Sequence, residues 1–330
     1  MRYGIVGAGG IAQAYAQAFV QSEAATLVGV ADTRPEAAQK LAETNNATAY
    51  ESHEDMVRSA DPEAVIVCTP PVTHADLCTD LMKMGRHVLC EKPLAMNSAE
   101  ARRMIDAAAA ADVKFTMASK FRYADDVIAA RKIVESGILG DMLLFENVFS
   151  GRVDMSQRWN SNPEISGGGV LIDNGTHSVD IMRYFLGPVA ELQVVEGKRV
   201  QQLPVEDTVR MFVQTETGVM GSIDLSWSMQ KEQPYYISIY GSQGTVLVGW
   251  QESKYRTQGN NEWIVFGSGY NKVQSFQNQI ENFTNAIRGS EMLRISPQDG
   301  LASVEVIEAA YESLRNHHWI PVSGDSLAAV

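Results

Sequence analysis

The chain has 330 residues, 45% of them hydrophobic and 20% charged, and carries a net charge of −13 at pH 7. This is the composition of a globular protein of about two domains, long enough to bury a large core without staples. The acidic balance and the lack of lysine or arginine blocks exclude nucleic acid and anionic membrane surfaces as partners, and no apolar run reaches the ~18–20 residues of a membrane span.

The first third alternates short apolar runs with helical patterns. Strands are expected at 3–6, 26–31, 64–68, 87–90 and 113–117, and helices near 11–21, 35–44, 73–84 and 98–111. The last of these helices has Asn97 as a cap and Glu100 three positions on. Such alternation predicts a parallel sheet covered on both faces. A further helix, 124–136, ends at Gly137. From 141 the period falls to two, at 141–149, 190–200, 205–215, 218–228, 235–241 and 244–250. In the fourth of these, at 222–228, apolar and polar residues face opposite ways, which predicts a mostly antiparallel sheet with one face on a core. Helices at 273–288 and 297–315 close the chain, the second with Ser296 as cap, Pro297 in its first turn and Asp299 three residues past the cap.

Residues 7–12 read Gly-Ala-Gly-Gly-Ile-Ala, a G-x-G-x-x-A turn between a strand and a helix. Its first glycine permits a tight turn and its second lets a pyrophosphate approach the backbone, while a small residue in the last position lets helix and strand pack closely. Asp32, 20 residues after Ala12, ends the second strand, where a carboxylate can accept hydrogen bonds from ribose hydroxyls. Gly7, Gly9, Gly10, Ile11, Asp32, Thr33 and Arg34 are the candidate dinucleotide contacts. Asp32 repels a 2′-phosphate, so NAD is preferred over NADP, although Arg34 could pair with such a phosphate. Thr69, Pro70 and Pro71 form a stiff turn at the carboxyl edge of the sheet, compatible with cofactor lining or with simple loop rigidity.

The run 87–90 surfaces in Glu91-Lys92-Pro93, opposite charges followed by a residue that stops strand and helix alike. Three glycines, 167–169, lead into a helix on which Asp173 and His177 share a face, with Asp180 beside it. Gly175 inside that helix costs about 1 kcal/mol relative to alanine, which points to a close approach of something to the backbone. A solvated Asp–His pair is one reading of the spacing. The apolar neighbours Val170, Leu171, Ile172, Val179, Ile181 and Met182 argue instead for a buried helix, on which charges want a partner or a function.

Taken together, G-x-G-x-x-A at 7–12, Glu-Lys-Pro at 91–93 and the 167–180 segment resemble the Gfo/Idh/MocA family of glucose–fructose oxidoreductases and inositol dehydrogenases, over nearly the whole chain. The resemblance implies an α/β protein: an N-terminal Rossmann domain with a parallel sheet, at 1–120, and a C-terminal α/β domain with a large, mostly antiparallel open sheet, at 121–330. It implies NAD or NADP as cofactor and a sugar, inositol or related polyol as substrate. Carried over by position, Lys92 is the catalytic lysine, Asp173 a substrate-binding carboxylate and His177 the general acid/base. Asp180 binds a substrate hydroxyl, Glu91 lines the nicotinamide ribose, and Thr69, Pro70 and His74 line the cofactor. Pro71 stands where relatives more often carry asparagine. Lys120 and Arg122, in the Ser-Lys-Phe-Arg-Tyr stretch at 119–123, are candidate substrate contacts or linker charges. Arg152, Arg158 and Trp159 receive no role.

Two other readings share the fold: an enzyme that uses NAD transiently while cleaving a glycosidic bond, and a sugar- or nucleotide-sensing regulator. Family habit implies a homodimer or homotetramer. Cys68, Cys78 and Cys90 fit neither a zinc motif nor a CxxC pair, so no metal is expected. With no signal pattern at the N-terminus, they read as reduced thiols of a cytoplasmic protein.

Overall fold

Six short strands of the N-terminal third line up side by side in the computed structural model of the chain, which describes residues 1–322; residues 323–330, the end of the expected second domain, lie outside the described residues. The elements are β1 (Arg2–Val6), α1 (Gly10–Val20), β2 (Thr26–Ala31), α2 (Pro35–Glu43), β3 (Thr48–Tyr50), α3 (His53–Ala60), β4 (Ala64–Val67), α4 (His74–Lys83), β5 (His87–Glu91), α5 (Ser98–Ala110) and β6 (Phe115–Ala118). The strands pair in parallel in the order β3-β2-β1-β4-β5-β6. All four residues of β4 are buried, as a strand covered on both faces requires. The order reverses at β1, so the loops leaving β1 and β4 diverge at the carboxyl edge, where ligands of such sheets bind. Asn97 accepts the Glu100 N–H at 2.9 Å, as its spacing predicts, while the Glu100 carboxylate takes the Met96 N–H at 3.2 Å.

The chain continues through α6 (Asp125–Glu135), β7 (Met142–Ser150), α7 (Pro163–Ser166), α8 (Val170–Leu186), β8 (Val189–Glu196), β9 (Thr208–Thr215), β10 (Met220–Ser226), β11 (Tyr235–Gly241), β12 (Gly244–Gly249), β13 (Ser253–Thr257) and β14 (Asn260–Gly267). It then forms α9 (Lys272–Ile287), α10 (Pro297–Asn316) and β15 (Ile320–Pro321). The second sheet has nine strands in the order β14-β13-β12-β11-β7-β10-β9-β8-β15. Its neighbours are antiparallel except β7 and β10. One face packs on α8 and α6 through Phe145, Val209, Met211, Ile223, Leu225 and Ile239, all 3% exposed or less.

Contacts divide the chain into two units, Met1–Tyr123 with Asn271–Leu301, and Ala124–Tyr270 with the chain from Ala302 onward. The first unit thus ends three residues beyond the expected boundary and takes in a later segment as well. The physical reason is the apolar face of α9. Phe276, Ile280 and Phe283, each at most 1% exposed, join the core formed by Tyr3, Ile5, Tyr15 and Phe19. No helix among the described residues is long and apolar enough to cross a membrane.

Phe283→Ala should therefore destabilise the first unit by about 3–5 kcal/mol, read as an earlier denaturant midpoint. An unchanged midpoint would show that α9 does not hold this core.

Candidate active site

At the nucleotide end, β1 runs into Gly7, which has φ +94°. A Cβ there would lie 2.8 Å from the Cys68 backbone, so both the conformation and the close approach of β4 call for glycine. A Cβ on Gly9 or Gly10 would meet nothing within 4 Å. Gly9, at the N-cap position of α1, has no side chain with which to cap the first turn. The first-turn N–H groups of α1 suit an anion. These features fit a dinucleotide pyrophosphate.

Asp32 does more than end β2. Its Oδ2 accepts the Ala8 N–H at 2.6 Å, which ties the glycine turn to the second strand, and its Oδ1 accepts the Arg34 N–H at 2.8 Å. The Arg34 guanidinium lies across the same carboxylate, Nε at 3.1 Å from Oδ1 and Nη2 at 3.3 Å from Oδ2. Burial pushes the carboxyl pKa up, but the Arg34 guanidinium and the two amides outweigh it and hold the group below its ordinary value. Thr33 and Arg34 are exposed and Ile11 is half-buried.

Thr69, Pro70 and Pro71 form the turn after β4, pinned by Thr73 Oγ1, which lies 2.7 Å from Thr69 Oγ1 and 2.9 Å from Pro70 O. His74 is fully buried. Its ring nitrogens lie 2.9 Å from Pro93 O and Thr69 O, so it ties this turn to the segment leaving β5. Burial lowers its pKa and the Lys92 charge adds to that, against the pull of the carbonyls it faces.

Glu91 ends β5 in the interior, 7% exposed. Its Oε1 accepts the Tyr15 hydroxyl at 2.9 Å and its Oε2 the Lys92 N–H at 3.1 Å. Burial raises its carboxyl pKa, opposed first by the Lys92 charge and then by Tyr15 and Lys120. The fold therefore gathers Glu91, Lys92 and Lys120 at one edge of the sheet, with the Lys92–Pro93 peptide cis. Arg122 is 4% exposed. Its guanidinium reaches Arg294 O at 3.3 Å and Asp299 at 3.7 Å, which ties it to the start of α10.

In the second unit Asp173, His177 and Asp180 all lie on α8. His177 is 7% exposed and Asp180 fully buried, whereas Asp173 is half-buried. Gly175 faces Leu225 and Ile307, whose methyl groups would lie 3.1 and 3.4 Å from a Cβ there. That is the close approach its position implied.

The start of α8 is held by residues that sequence reasoning did not single out. Glu206 Oε1 accepts the N–H groups of Gly169 at 2.9 Å and Leu171 at 3.1 Å, and Glu206 O accepts that of Val170 at 2.9 Å. The Tyr311 hydroxyl donates to the same carboxylate at 2.9 Å. A carboxylate 37 residues away in sequence thus caps the helix, in a place suited to negative charge. The glycine run follows from this. A Cβ on Gly168 would fall 1.8 Å from the Tyr311 hydroxyl oxygen, and one on Gly169 2.0 Å from Glu206 O. The only sequence signal was a Glu-Asp pair in a turn and a tyrosine in an apolar stripe. Arg152, Arg158 and Trp159 are exposed.

Two glycine substitutions separate room for a ligand from room for the fold. Gly169→Ala should cost about 1–3 kcal/mol of stability. Gly9→Ala should change stability by no more than about 0.5 kcal/mol yet weaken NAD binding, measured by calorimetry. Unweakened binding in Gly9→Ala would remove the turn from the site.

Residues 1–119 match the model described as an oxidoreductase family with an NAD-binding Rossmann fold, and residues 127–247 match the GFO/IDH/MocA C-terminal domain. The chain is similar to the inositol 2-dehydrogenase of Rhizobium meliloti (strain 1021), at 27% identity covering 98% of this chain and 99% of the relative. Its fold is similar to that of the WlbA dehydrogenase from Bordetella pertussis in complex with NADH and UDP-GlcNAcA, with TM-score 0.86, 25% identity and 98% of each chain covered. A levoglucosan dehydrogenase in complex with NADH and levoglucosan shares the fold at TM-score 0.89 and 21% identity, over 98% of this chain and 99% of that one. With a Rossmann unit that carries the dinucleotide turn and a second unit that matches the family's own C-terminal domain, the chain belongs to the Gfo/Idh/MocA family of oxidoreductases.

Proposed function

We propose that this protein is an NAD-dependent dehydrogenase that interconverts a hydroxyl-bearing carbon and its ketone on a sugar, inositol or related polyol. The observation that carries the reading is the pairing, in one chain, of a dinucleotide turn and Lys92 at the carboxyl edge of one sheet with an Asp-x-x-x-His helix anchored by a buried carboxylate. The sugar and inositol dehydrogenases among its relatives support the substrate class.

The glycine turn at 7–11 and Asp32 would hold NAD, which would supply the hydride acceptor. An alcohol that gives up hydride must also release its hydroxyl proton, and the His177 imidazole accepts it. The Lys92 ammonium orients the oxygen and stabilises the negative charge that develops on it. Asp173 accepts a hydrogen bond from a neighbouring hydroxyl, whereas Asp180, expected to do the same, is fully buried and offers a substrate no surface. Asp32 receives the adenosine ribose once the exposed Arg34 side chain turns aside, and its charge disfavours a 2′-phosphate.

A homo-oligomer accompanies this reading. On the sheet face away from α8, register pairs Val195 with Arg210, Phe212 with Ser222 and Gln193, and Met220 with Gln214. Val195, Phe212 and Met220 there are 53%, 38% and 58% exposed, an apolar surface suited to a second copy.

A panel of polyols, sugars, sugar acids and nucleotide sugars with NAD, followed as NADH appearance, should identify a substrate. Lys92→Ala and His177→Ala should each lower kcat by about 10²–10⁴-fold with NAD affinity nearly unchanged. Turnover retained in both would overturn the mechanism, and kcat/KM at least as high with NADP would overturn the cofactor preference. Light scattering should give a particle larger than the 36.2 kDa chain; a particle of that mass would exclude the oligomer.

A further inference from the structure

We propose that Tyr15 and Gln279 are positioning residues that act on Lys92 through the buried carboxylate of Glu91 and set the pH range in which Lys92 works. This rests on the role of Lys92 given above. The three side chains form a chain of hydrogen bonds inside the first unit. Gln279 Nε2 donates to the Tyr15 hydroxyl at 2.7 Å, and that hydroxyl donates to Glu91 Oε1 at 2.9 Å. The other carboxylate oxygen takes the backbone N–H of Lys92 at 3.1 Å. Both oxygens of Glu91 are thereby fixed at the point where Lys92 leaves the sheet. Tyr15 and Gln279 are fully buried, and the Tyr15 ring is held edge-on by Phe276 at 4.4 Å.

Packing does not account for this arrangement. Gln279 Oε1 is buried with no hydrogen-bond partner among the described residues. A buried amide with an unmet oxygen is costly, and an apolar side chain of the same shape would serve stability as well or better. What the amide supplies is a donor to the Tyr15 oxygen, which polarises the hydroxyl toward Glu91.

The titratable and charged groups around Glu91 are Lys92 and Lys120, with Tyr15, Cys68 and Cys90. Burial raises the Tyr15, Cys68 and Cys90 pKa values, so these three stay protonated and neutral over the working range. Glu91 is a negative group that interacts with the Lys92 charge. Burial raises its carboxyl pKa and the Tyr15 hydroxyl opposes that rise. Without the hydroxyl, the carboxyl ionises only at higher pH. Activity that needs ionised Glu91 beside the ammonium must then begin at higher pH.

The test uses the full-length enzyme with NAD and the polyol that wild type turns over fastest. Tyr15→Phe should move the acid limb of kcat to higher pH by about one to two units, the size of one hydrogen bond to a charged group. Gln279→Met should move it the same way by less. A readout without substrate is the carboxylic-acid carbonyl band of Glu91, assigned by its loss in Glu91→Gln and titrated by infrared difference spectroscopy. It should persist to higher pH in Tyr15→Phe. An unmoved limb and band, or a kcat reduced equally at every pH, would overturn the proposal. Where Tyr15→Phe does not fold, Gln279→Met decides by the same two readings. Retained turnover in Lys92→Ala would instead defeat the dehydrogenase mechanism, whatever the Glu91 band does.

Discussion

A carboxylate taken out of water must be met by hydrogen-bond donors to remain ionised. Glu91 and Glu206 impose that requirement at the two places on which the candidate chemistry depends. Each is buried, each has its pKa raised first by burial, and each stands at the start of a segment that carries candidate residues. The side-chain donors come from far along the chain, Tyr15 for Glu91 at a separation of 76 residues and Tyr311 for Glu206 at 105. Satisfying these two groups fixes the exit of β5 and the first turn of α8. A chain that lost either set of donors would keep its sheets while losing the definition of these two points.

The two units manage helix starts in opposite ways. The first turn of α1 follows an uncapped glycine with open space around it, and its N–H groups suit a phosphate. The first turn of α8 also follows glycine, but a protein carboxylate takes its N–H groups. One glycine-rich entry therefore recruits a ligand and the other a remote side chain. The difference lies in whether another part of the chain reaches the donors.

Much of this was legible in the sequence where the signal is local. The parallel alternation, the turn at Gly7, the cap at Asn97 and the burial of α8 each depend on residues within a few positions of one another. Short or polar edge elements were not legible. Strand β3 has three half-exposed or exposed residues and lacks an apolar run. Strand β13 reads Ser-Lys-Tyr-Arg-Thr, with one aromatic residue among polar ones, and its Lys254 and Arg256 cover the Trp263 ring of β14 at 5.3 and 4.7 Å. Asp224 belongs to the polar side of its strand by period, yet Arg210 and Lys231 enclose it, and it is 7% exposed. Long-range satisfaction was invisible for the same reason. Nothing near Glu206 in sequence indicates that it closes a helix 37 residues earlier, and nothing near Gln279 indicates that it reaches Tyr15.

The return of residues 271–301 to the first unit has a consequence for how the molecule is made. A ribosome delivers the six parallel strands within the first 118 residues, but the wall formed by Phe276, Ile280 and Phe283 emerges more than 150 residues later. Until then the nascent Rossmann sheet carries an uncovered apolar surface while eight of the nine strands of the second sheet are being synthesised. Domains usually fold in the order in which they leave the ribosome; here the earlier one waits for the later one to be threaded out, and the interval is one in which a chaperone has something to hold.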